Sequence, residues 1–365
     1  MSSTVRSISQ LTALVEALPC DERARFERIF RIDTTLGTLR APASMHEWIK
    51  RYFGSIEAVQ EQRIVKVTNL ITLEGALFNE LRASRPMEVG APNDLTGTIM
   101  GNVGDPFCRP LEATPEDAFG RVKGDYCITA SNIAKYDGFH GLVVFDEHNP
   151  LVFSGEKVKD YIDTALSWAR KAHCEAKDAR YFLFMWNCLW RSGASILHGH
   201  AQMSLTRGIH YARVEHLRRA ALLYKVAHGV NYFDDLYAVH KSLGLSVDDN
   251  GVRMLAYLAP IKEKEIILIS ERLDDPMKEA IYRVLRVLID RLGVRSFNLV
   301  VHMRPIDGVT EDWRGFPIQV RIVDRGDLSN KTSDFGAMEL YASSVIASDP
   351  FRVAEALAGG LADRG

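Results

Sequence analysis

The segment 187–205, NCLWRSGASILHGHAQMSL, holds the side chains of this chain that are best suited to chemistry. Its core is the run His-Gly-His-Ala-Gln at 198–202. If this run forms a β-strand, alternate residues point to the same face, so His198, His200 and Gln202 project together. The glycine and alanine between them are small and leave the opposite face easy to pack. Three polar side chains on one face of an otherwise apolar strand indicate a functional site.

The chemistry that suits this arrangement is attack by imidazole on phosphorus. A neutral imidazole is a good nucleophile near neutral pH, and the phosphoramidate that it forms divides one transfer into two steps. We predict that His200 attacks and that Gln202 donates to a phosphoryl oxygen. Ser195 and the backbone amides around Gly193 are predicted to complete an anion cradle. The alternative is a pair of structural histidines, or a metal site without catalysis.

The secondary-structure elements predicted around this segment occur in the same order in both halves of the chain. Each half contains two strands, a long helix and two more strands. In the first half these are GDYCITASN, HGLVVFDEH, GEKVKDYIDTALSWARKAHCEA, RYFLFMWNCLW and HGHAQMSL. In the second half they are RMLAYLAP, KEIILISE, DDPMKEAIYRVLRVLIDRLG, SFNLVVHMRP and FPIQVRIVDR. We predict an α+β fold with an internal duplication, each half an antiparallel sheet carrying one long helix. One large α+β domain with a coincidental order is the alternative.

Three segments follow from this pattern. Residues 1–60 have apolar residues at helical spacing and are predicted to form a helical N-terminal extension, either a cap or an arm onto a partner subunit. Residues 61–210 are predicted to be the catalytic domain. Residues 211–365 are predicted to be a second domain, which has no His-x-His and therefore no equivalent nucleophile.

Composition excludes several classes of protein. The chain has 365 residues with 45 Lys+Arg and 47 Asp+Glu, so a net charge of −2 gives no broad basic field for nucleic acid. No apolar run is long enough for a membrane span, and the N-terminus does not fit a secretory signal. The five cysteines are few, odd in number and unpatterned, which favours a reducing cytoplasm over a disulfide framework.

The run HGHAQ, preceded by SGAS, resembles the histidine motif of the galactose-1-phosphate uridylyltransferase branch of the histidine triad (HIT) superfamily. This branch includes ADP-glucose phosphorylases and dinucleoside tetraphosphate phosphorylases. The resemblance implies duplicated HIT-like domains and a nucleophile at the middle histidine, His200. Transferases of the branch carry Gln where hydrolases carry a third His, and that position here is Gln202.

The resemblance also implies residues that bind substrate. Asn187 lies thirteen residues before His200, the spacing of a family Asn that contacts the nucleotide phosphates. Ser195 lies five residues before it, where a family Ser binds the transferred phosphoryl group or hexose phosphate. The segment LFNELRASRP is similar to an early phosphate-binding segment, and DFGAMEL to a segment with a hexose-binding Glu. The residues implied are Asn79, Arg82, Arg85 and Glu339.

A structural zinc ion is a further implication of the resemblance. Family members hold it with a Cys-x-x-Cys pair, a later His and the first His of the motif. The matching residues here are Asp105, Cys108, His148 and His198, an acceptable tetrahedral set. Asp in place of the first Cys is a harder ligand, so weaker zinc binding is expected.

A second metal site of some family members is predicted to be absent. His302 and Glu215 fall near two of its positions, but Pro317 and Gln319 stand where two His are expected. Three other histidines, His140, His210 and His216, are interpreted first as ordinary surface residues, with metal ligands as the alternative.

The function predicted from these residues is nucleotidyl transfer through a covalent nucleotidyl-His200 intermediate, from a nucleoside diphosphate sugar to a hexose 1-phosphate. The first alternative is phosphorolysis of a nucleotide sugar or dinucleoside polyphosphate by inorganic phosphate. The second is a nucleotide-binding protein with a retired site. Neither transfer needs a redox cofactor. A homodimer is expected from the resemblance alone.

Overall fold

Two β-sheets, of four and nine strands, form the frame of the chain. The computed structural model describes residues 6–84 and 94–363. The strands are β1 (Phe30–Thr38), β2 (Glu61–Asn69), β3 (Gly75–Phe78), β4 (Cys127–Ser131), β5 (Phe139–Phe145), β6 (Ala179–Cys188), β7 (His200–Arg207), β8 (Ser246–Asp249), β9 (Val252–Ala256), β10 (Glu263–Ser270), β11 (Phe297–His302), β12 (Ile318–Asp324) and β13 (Ser344–Ile346).

Twelve α-helices accompany these strands in the described part of the chain. They are α1 (Leu11–Glu16), α2 (Cys20–Ile29), α3 (His46–Phe53), α4 (Ile56–Gln60), α5 (Leu95–Met100), α6 (Pro110–Ala113), α7 (Gly155–Glu175), α8 (Ala212–His228), α9 (Tyr232–Ser242), α10 (Asp275–Arg286), α11 (Ala337–Tyr341) and α12 (Pro350–Ala362). None of the helices described combines the length and the apolar character that a bilayer crossing requires.

The nine-stranded sheet contains the predicted duplication. Its strand order is β4-β5-β7-β6-β11-β12-β10-β9-β8, so the order of the first half returns reversed in the second. The long helix α7 follows β5, and α10 follows β10 in the same way. The halves join where β6 pairs antiparallel with β11, with Asn187 opposite Asn298. The predicted α+β fold with two similar antiparallel halves is therefore confirmed.

Helix α7 covers one face of the first half because its apolar residues recur at helical spacing. Val158, Tyr161, Ala165 and Trp168 are buried along this stripe. The helix begins after Ser154, whose hydroxyl accepts a hydrogen bond from the Lys157 amide at 3.3 Å. The opposite face of the sheet is left to the polar side chains of the site.

The sequence predicted a helical N-terminal segment, but the structure shows that this segment also contains a strand. Helix α2 ends at Ile29, and residues 30–38 form β1, which pairs antiparallel with β2 from Phe30–Asn69 to Thr38–Glu61. The β-branched residues of FRIDTTLGT favour this extended conformation. β13 adds to β3 in parallel, so a C-terminal segment completes the N-terminal sheet. The predicted boundary at residue 210 falls between β7 and α8.

Candidate active site and metal cluster

His200 is the first residue of β7 and lies opposite Val144 of β5. Ala201 and Met203 next to it point into the core and are fully buried, which directs His200 to the opposite face. Nδ1 of His200 lies 2.8 Å from the main-chain carbonyl oxygen of His198. Because a carbonyl oxygen only accepts, Nδ1 carries the proton and Nε2 carries the lone pair. Burial lowers the pKa of His200, so the ring is neutral and nucleophilic near neutral pH.

Gln202 lies on the same face, two residues along β7. Its Oε1 atom lies 3.1 Å from the Tyr136 hydroxyl and 3.1 Å from Nε2 of His140. The Tyr136 hydroxyl donates to this amide oxygen, while Nε2 of His140 also lies 3.2 Å from Nδ2 of Asn132. With its oxygen held by Tyr136, the Gln202 amide can offer its NH2 group to a phosphoryl oxygen. The rings of Tyr136 and His140 are in contact, with centroids 3.7 Å apart. His140 is thus buried at the site and is not the surface residue that the sequence suggested.

Asn187 is brought to the site by β6. It lies two residues beyond Met185, which pairs with Gln202, and this register places it opposite His200. Its Oδ1 atom accepts a hydrogen bond of 2.7 Å from Nδ2 of Asn298. Asn298 was not among the residues predicted from the sequence, because its strand, β11, belongs to the other half of the chain.

The loop between β6 and β7 carries Gly193 and Ser195. Gly193 adopts a φ of 97°, a left-handed conformation that glycine takes without strain. Ser195 is exposed, as a residue that contacts a ligand should be. The loop is anchored by Asn298, whose Nδ2 also donates to the Ser192 carbonyl at 2.9 Å. Gly193 and Ser195 therefore lie on a loop that Asn298 holds between β6 and the start of β7.

The four predicted metal ligands lie together. One ligand atom from each of Asp105, Cys108, His148 and His198 lies within 4.8 Å of the others. Sγ of Cys108 is 3.4 Å from Nδ1 of both histidines, and the two Nδ1 atoms are 3.0 Å apart. The Asp105 carboxylate is 3.8 Å from each histidine.

Hydrogen bonds at Nε2 of both imidazole rings leave their Nδ1 atoms available to bind a cation. Nε2 of His148 donates to the Ile99 carbonyl and Nε2 of His198 to the Phe145 carbonyl, both at 2.9 Å. Both Nδ1 atoms therefore carry lone pairs that face each other. Oδ2 of Asp105 is buried and has no hydrogen-bond partner among the residues that the structure describes. Ligand nitrogens of a tetrahedral zinc site are about 3.3 Å apart, so the residues present fit a metal ion.

A cavity of about 390 Å³ adjoins the metal cluster, with Cys108 and His198 in its wall. Phe107 forms one wall, with its ring centroid 5.1 Å from that of His200. Val144, Tyr126 and Ile128 form apolar surface, while Lys123 and Asp125 supply polar groups. An aromatic base fits such a mixture of apolar surface and a few polar groups.

A second cavity, of about 540 Å³, brings together Arg82 and Glu339 from distant parts of the sequence. Lys262 and Arg325 add two further cations to its wall. Asn79 does not line this cavity; its side chain donates to Gln62 and accepts from the Leu81 amide. Arg85 lies outside the described residues.

The second cavity is connected to the loop before β7. Nη1 of Arg325 donates to Oδ1 of Asn298 at 2.5 Å, and Asn298 in turn holds Asn187. Arg191 of the loop donates to the carbonyls of Arg325 and Asn330 at 3.0 and 2.6 Å. The cavity wall and the predicted cradle are therefore parts of one hydrogen-bonded unit.

The positions of the second family metal site hold other contacts. Glu215 accepts hydrogen bonds of 2.6 Å from both Arg218 and Arg219, which lower the pKa of its carboxyl to about 2. Nδ1 of His302 lies 3.3 Å from Oε1 of Gln319. His210 is buried, contrary to the sequence interpretation, whereas His216 is exposed as expected.

Solved structures with the same fold exist, although no protein-family model and no curated protein sequence matches the chain. An ADP-glucose phosphorylase from Arabidopsis thaliana with bound ADP-glucose is similar, with a TM-score of 0.60 and 16% identity, over 80% of this chain and 97% of that one. A GalT-like protein from Arabidopsis thaliana matches with a TM-score of 0.58 and 16% identity over the same shares. A uridylyltransferase structure matches with a TM-score of 0.56 and 18% identity, over 69% of this chain and 90% of that one. The chain therefore has the fold of these three structures.

Proposed function

We propose that the chain transfers a nucleoside monophosphate through a covalent bond to His200. The observation that carries this proposal is the 2.8 Å hydrogen bond from Nδ1 of His200 to the His198 carbonyl, on a buried and neutral ring. It presents Nε2 as a lone pair on the polar face of the sheet. The shared fold with an ADP-glucose phosphorylase and a uridylyltransferase supports the same reading.

The transfer takes two balanced steps. In the first, Nε2 of His200 attacks the α-phosphorus of a nucleoside diphosphate sugar; the N–P bond forms, the P–O bond to the sugar phosphate breaks, and the sugar phosphate leaves. The imidazolium character of the intermediate is stabilised by the His198 carbonyl at Nδ1. In the second, a phosphate oxygen of the acceptor attacks the phosphorus, the N–P bond breaks, and His200 returns to its neutral form.

The surrounding residues have separate roles in this scheme. The NH2 group of Gln202 and the hydroxyl of Ser195 donate to the phosphoryl oxygens. The cavity at Phe107 takes the base. Asn187 and Arg82 bind the phosphates of the two substrates, and the backbone amides around Gly193 complete the anion cradle.

The acceptor is assigned to the 540 Å³ cavity, whose wall holds four cations: Arg82, Arg191, Lys262 and Arg325. Asp334 on the same wall pairs with Lys262 and with Arg325, so an acceptor phosphate would share these two cations with it. Glu339 on the same wall offers a carboxylate to the hydroxyl groups of a sugar. A hexose 1-phosphate has both chemical groups. The phosphate subsite and the sugar subsite would then lie side by side.

Zinc is proposed as the ion of the cluster formed by Asp105, Cys108, His148 and His198. Bound there, it would hold the beginning of β7 by its bond to His198 and act as a structural ion. The cluster residues would hold the chain in place around the ion, and His200 would carry out the transfer.

Phosphorolysis is the second candidate, with inorganic phosphate as acceptor. The match to a structure of an ADP-glucose phosphorylase favours it. Both candidates begin with the same covalent step and differ only in the acceptor.

A homodimer is also proposed, because Leu36, Met45, Trp48 and Tyr52 of the N-terminal segment expose apolar surface.

Intact mass spectrometry tests the covalent step. The protein is incubated in turn with UDP-glucose, ADP-glucose, GDP-mannose and a dinucleoside tetraphosphate. We expect a gain of one nucleoside monophosphate with one of these donors, absent in His200→Asn, which should still bind the donor. A donor that binds without any mass gain would favour a retired site, and failure to bind any nucleotide would contradict the proposal.

A further inference from the structure

A third cavity, of about 340 Å³, lies in the second half of the chain beneath α8. It contains none of the residues proposed for nucleotidyl transfer. Its floor is on the same face of the sheet as the active site, because Gln202, Met185, Val300 and Arg321 form one cross-strand row through β7, β6, β11 and β12. The cavity thus lies on the same face of the nine-stranded sheet as the active site, over strands of the second half.

His302 gives this floor a hydrogen-bond acceptor. The residue is 8% exposed and lines the cavity. Its Nδ1 atom lies 3.3 Å from Oε1 of Gln319, an acceptor, so Nδ1 carries the proton. Nε2 then carries a lone pair, and it has no hydrogen-bond partner among residues 6–84 and 94–363. An acceptor in the lining of a cavity is suited to a ligand hydroxyl or N–H group.

Arg213 gives the mouth of the cavity a free cation. It is exposed in the first turn of α8 and makes no hydrogen bond or ion pair within the described ranges. The other guanidinium of the cavity, that of Arg321, is bound at 2.6 Å by both Glu74 and Glu265, so its charge is compensated within the protein. Glu74 and Glu265 together supply one carboxylate more than Arg321 balances, so the cation available to a ligand is that of Arg213 at the mouth.

The walls between mouth and floor are apolar. They are formed by Leu217, Ile261, Val300 and Val323. We propose that this cavity is a second ligand pocket, which takes a small organic anion: an acidic group at Arg213, an apolar middle, and a hydroxyl or N–H group at His302. Its volume is in the range of small-molecule sites.

The proposed pocket also contacts the active site. Asn298 lines the cavity and holds the side chain of Asn187 by the 2.7 Å hydrogen bond described above. A ligand in the pocket would therefore lie against a residue that positions the active-site asparagine. The pocket itself does not depend on the proposed transfer, and its test uses binding alone.

The probe is 8-anilinonaphthalene-1-sulfonate, which combines a sulfonate, apolar rings and an N–H group. We expect saturable binding with one strong site per chain, followed by its fluorescence. Arg213→Ala should weaken that site about fivefold, the effect of one exposed ion pair. Val300→Trp should abolish it by filling the cavity. The matched control is Lys225→Ala, which removes a cation from the same helix away from the cavity and should bind as the unmodified chain does.

The outcomes separate clearly. No saturable binding, or equal binding by the unmodified chain and Arg213→Ala, would overturn the pocket. Equal weakening by Lys225→Ala would show general attraction to a charged helix and would overturn it as well. Circular dichroism checks the folding of each variant. If Val300→Trp fails to fold, Arg213→Ala decides the question, because its exposed side chain has no contact that folding requires.

Discussion

Nδ1 of His200 lies 2.8 Å from the main-chain oxygen of His198, a residue whose own Nδ1 faces the metal cluster. The tautomer of His200 and the position of one cluster ligand are therefore both set by the backbone at residues 198–200. A cation held at His198 would fix the carbonyl that fixes His200. In the proposed transfer, a structural ion would thus support a reaction in which it takes no part.

The first prediction concerns the pH dependence of the covalent step. Burial lowers the pKa of His200 below its ordinary value of about 6.5, so the neutral ring persists to lower pH than in a free histidine. Attack requires the neutral ring. The rate of mass gain should stay constant as the pH falls through 6.5 and should decline only below it. Quenched time courses with the active donor measure this rate; a decline centred at or above pH 6.5 would contradict the burial argument.

The second prediction concerns the glycine between the two histidines. A Cβ at Gly199 would lie 2.7 Å from Cδ2 of Phe145 and 2.8 Å from the Glu147 carbonyl oxygen. Gly199→Ala should therefore destabilise the fold by about 1–3 kcal/mol and slow nucleotidylation, because the start of β7 has to shift. Thermal unfolding and the mass-gain rate measure the two effects. The control is Gly138→Ala, where a Cβ would meet nothing within 4 Å; equal destabilisation by both variants would refute the steric explanation.

The elements that carry strong local signals were predictable from sequence. The alternation of β7, the apolar stripe of α7 and the repeated order of elements all follow from local patterns, and the structure shows them. Strand β1 was not predicted from the sequence, because the charged residues before Phe30 have helical spacing. The nine residues from Phe30 to Thr38 form a strand by pairing with β2, and a local sequence pattern does not reveal this contact. Pairing partners are set by tertiary structure.

The site shows the same division. The His-x-His-x-Gln spacing indicated His200 and Gln202, and the structure places both on one strand. Tyr136 and Asn298 could not be found this way, because their relation to the site comes from a neighbouring loop and from a strand of the other half. Their only sequence signal is a polar residue beside a predicted strand, which is common in any chain.

The third prediction concerns Tyr136. Its hydroxyl lies 3.1 Å from Oε1 of Gln202. Tyr136→Phe should slow nucleotidylation about fivefold, the effect of losing one hydrogen bond of about 1 kcal/mol that orients the amide. Donor binding should change little. Single-turnover mass gain gives the rate, and Tyr341→Phe, which alters an exposed hydroxyl far from the strand, serves as the matched control. A rate equal to that of the unmodified chain would show that His140 alone orients Gln202.

The fourth prediction concerns the metal cluster. Asp105→Cys should raise zinc affinity, because it restores a thiolate where the harder carboxylate now lies. Cys108→Ala should lower the metal content and the unfolding temperature. Both are measured by elemental analysis after dialysis against a chelator, and by thermal unfolding. Cys174→Ala removes an exposed cysteine outside the cluster and should change neither property. A chain that carries no zinc before dialysis and gains no stability from added zinc would contradict the structural role.

The fifth prediction concerns the acceptor cavity. Lys262 is buried at its wall, where its ammonium lies 3.8 Å from the Asp334 carboxylate and 4.2 Å from the Phe335 ring centre. Lys262→Met keeps the apolar stem and removes the charge. If this cavity takes the acceptor phosphate, nucleotidylation by the donor should be unchanged, while release of the nucleotidyl group to hexose 1-phosphate or inorganic phosphate should need about tenfold more acceptor.

The two half-reactions make this test selective. The nucleotidylated protein is isolated, and its loss of mass is followed at increasing concentrations of each acceptor. Lys331→Met, which removes an exposed cation from the loop after β12 and does not line the cavity, should behave as the unmodified chain does. A defect in the donor step as large as that in the acceptor step would assign the cavity to the donor's sugar phosphate instead. Because only the acceptor phosphate is common to hexose 1-phosphate and inorganic phosphate, equal defects with both would place Lys262 at that phosphate, whereas a defect with hexose 1-phosphate alone would place it at the sugar.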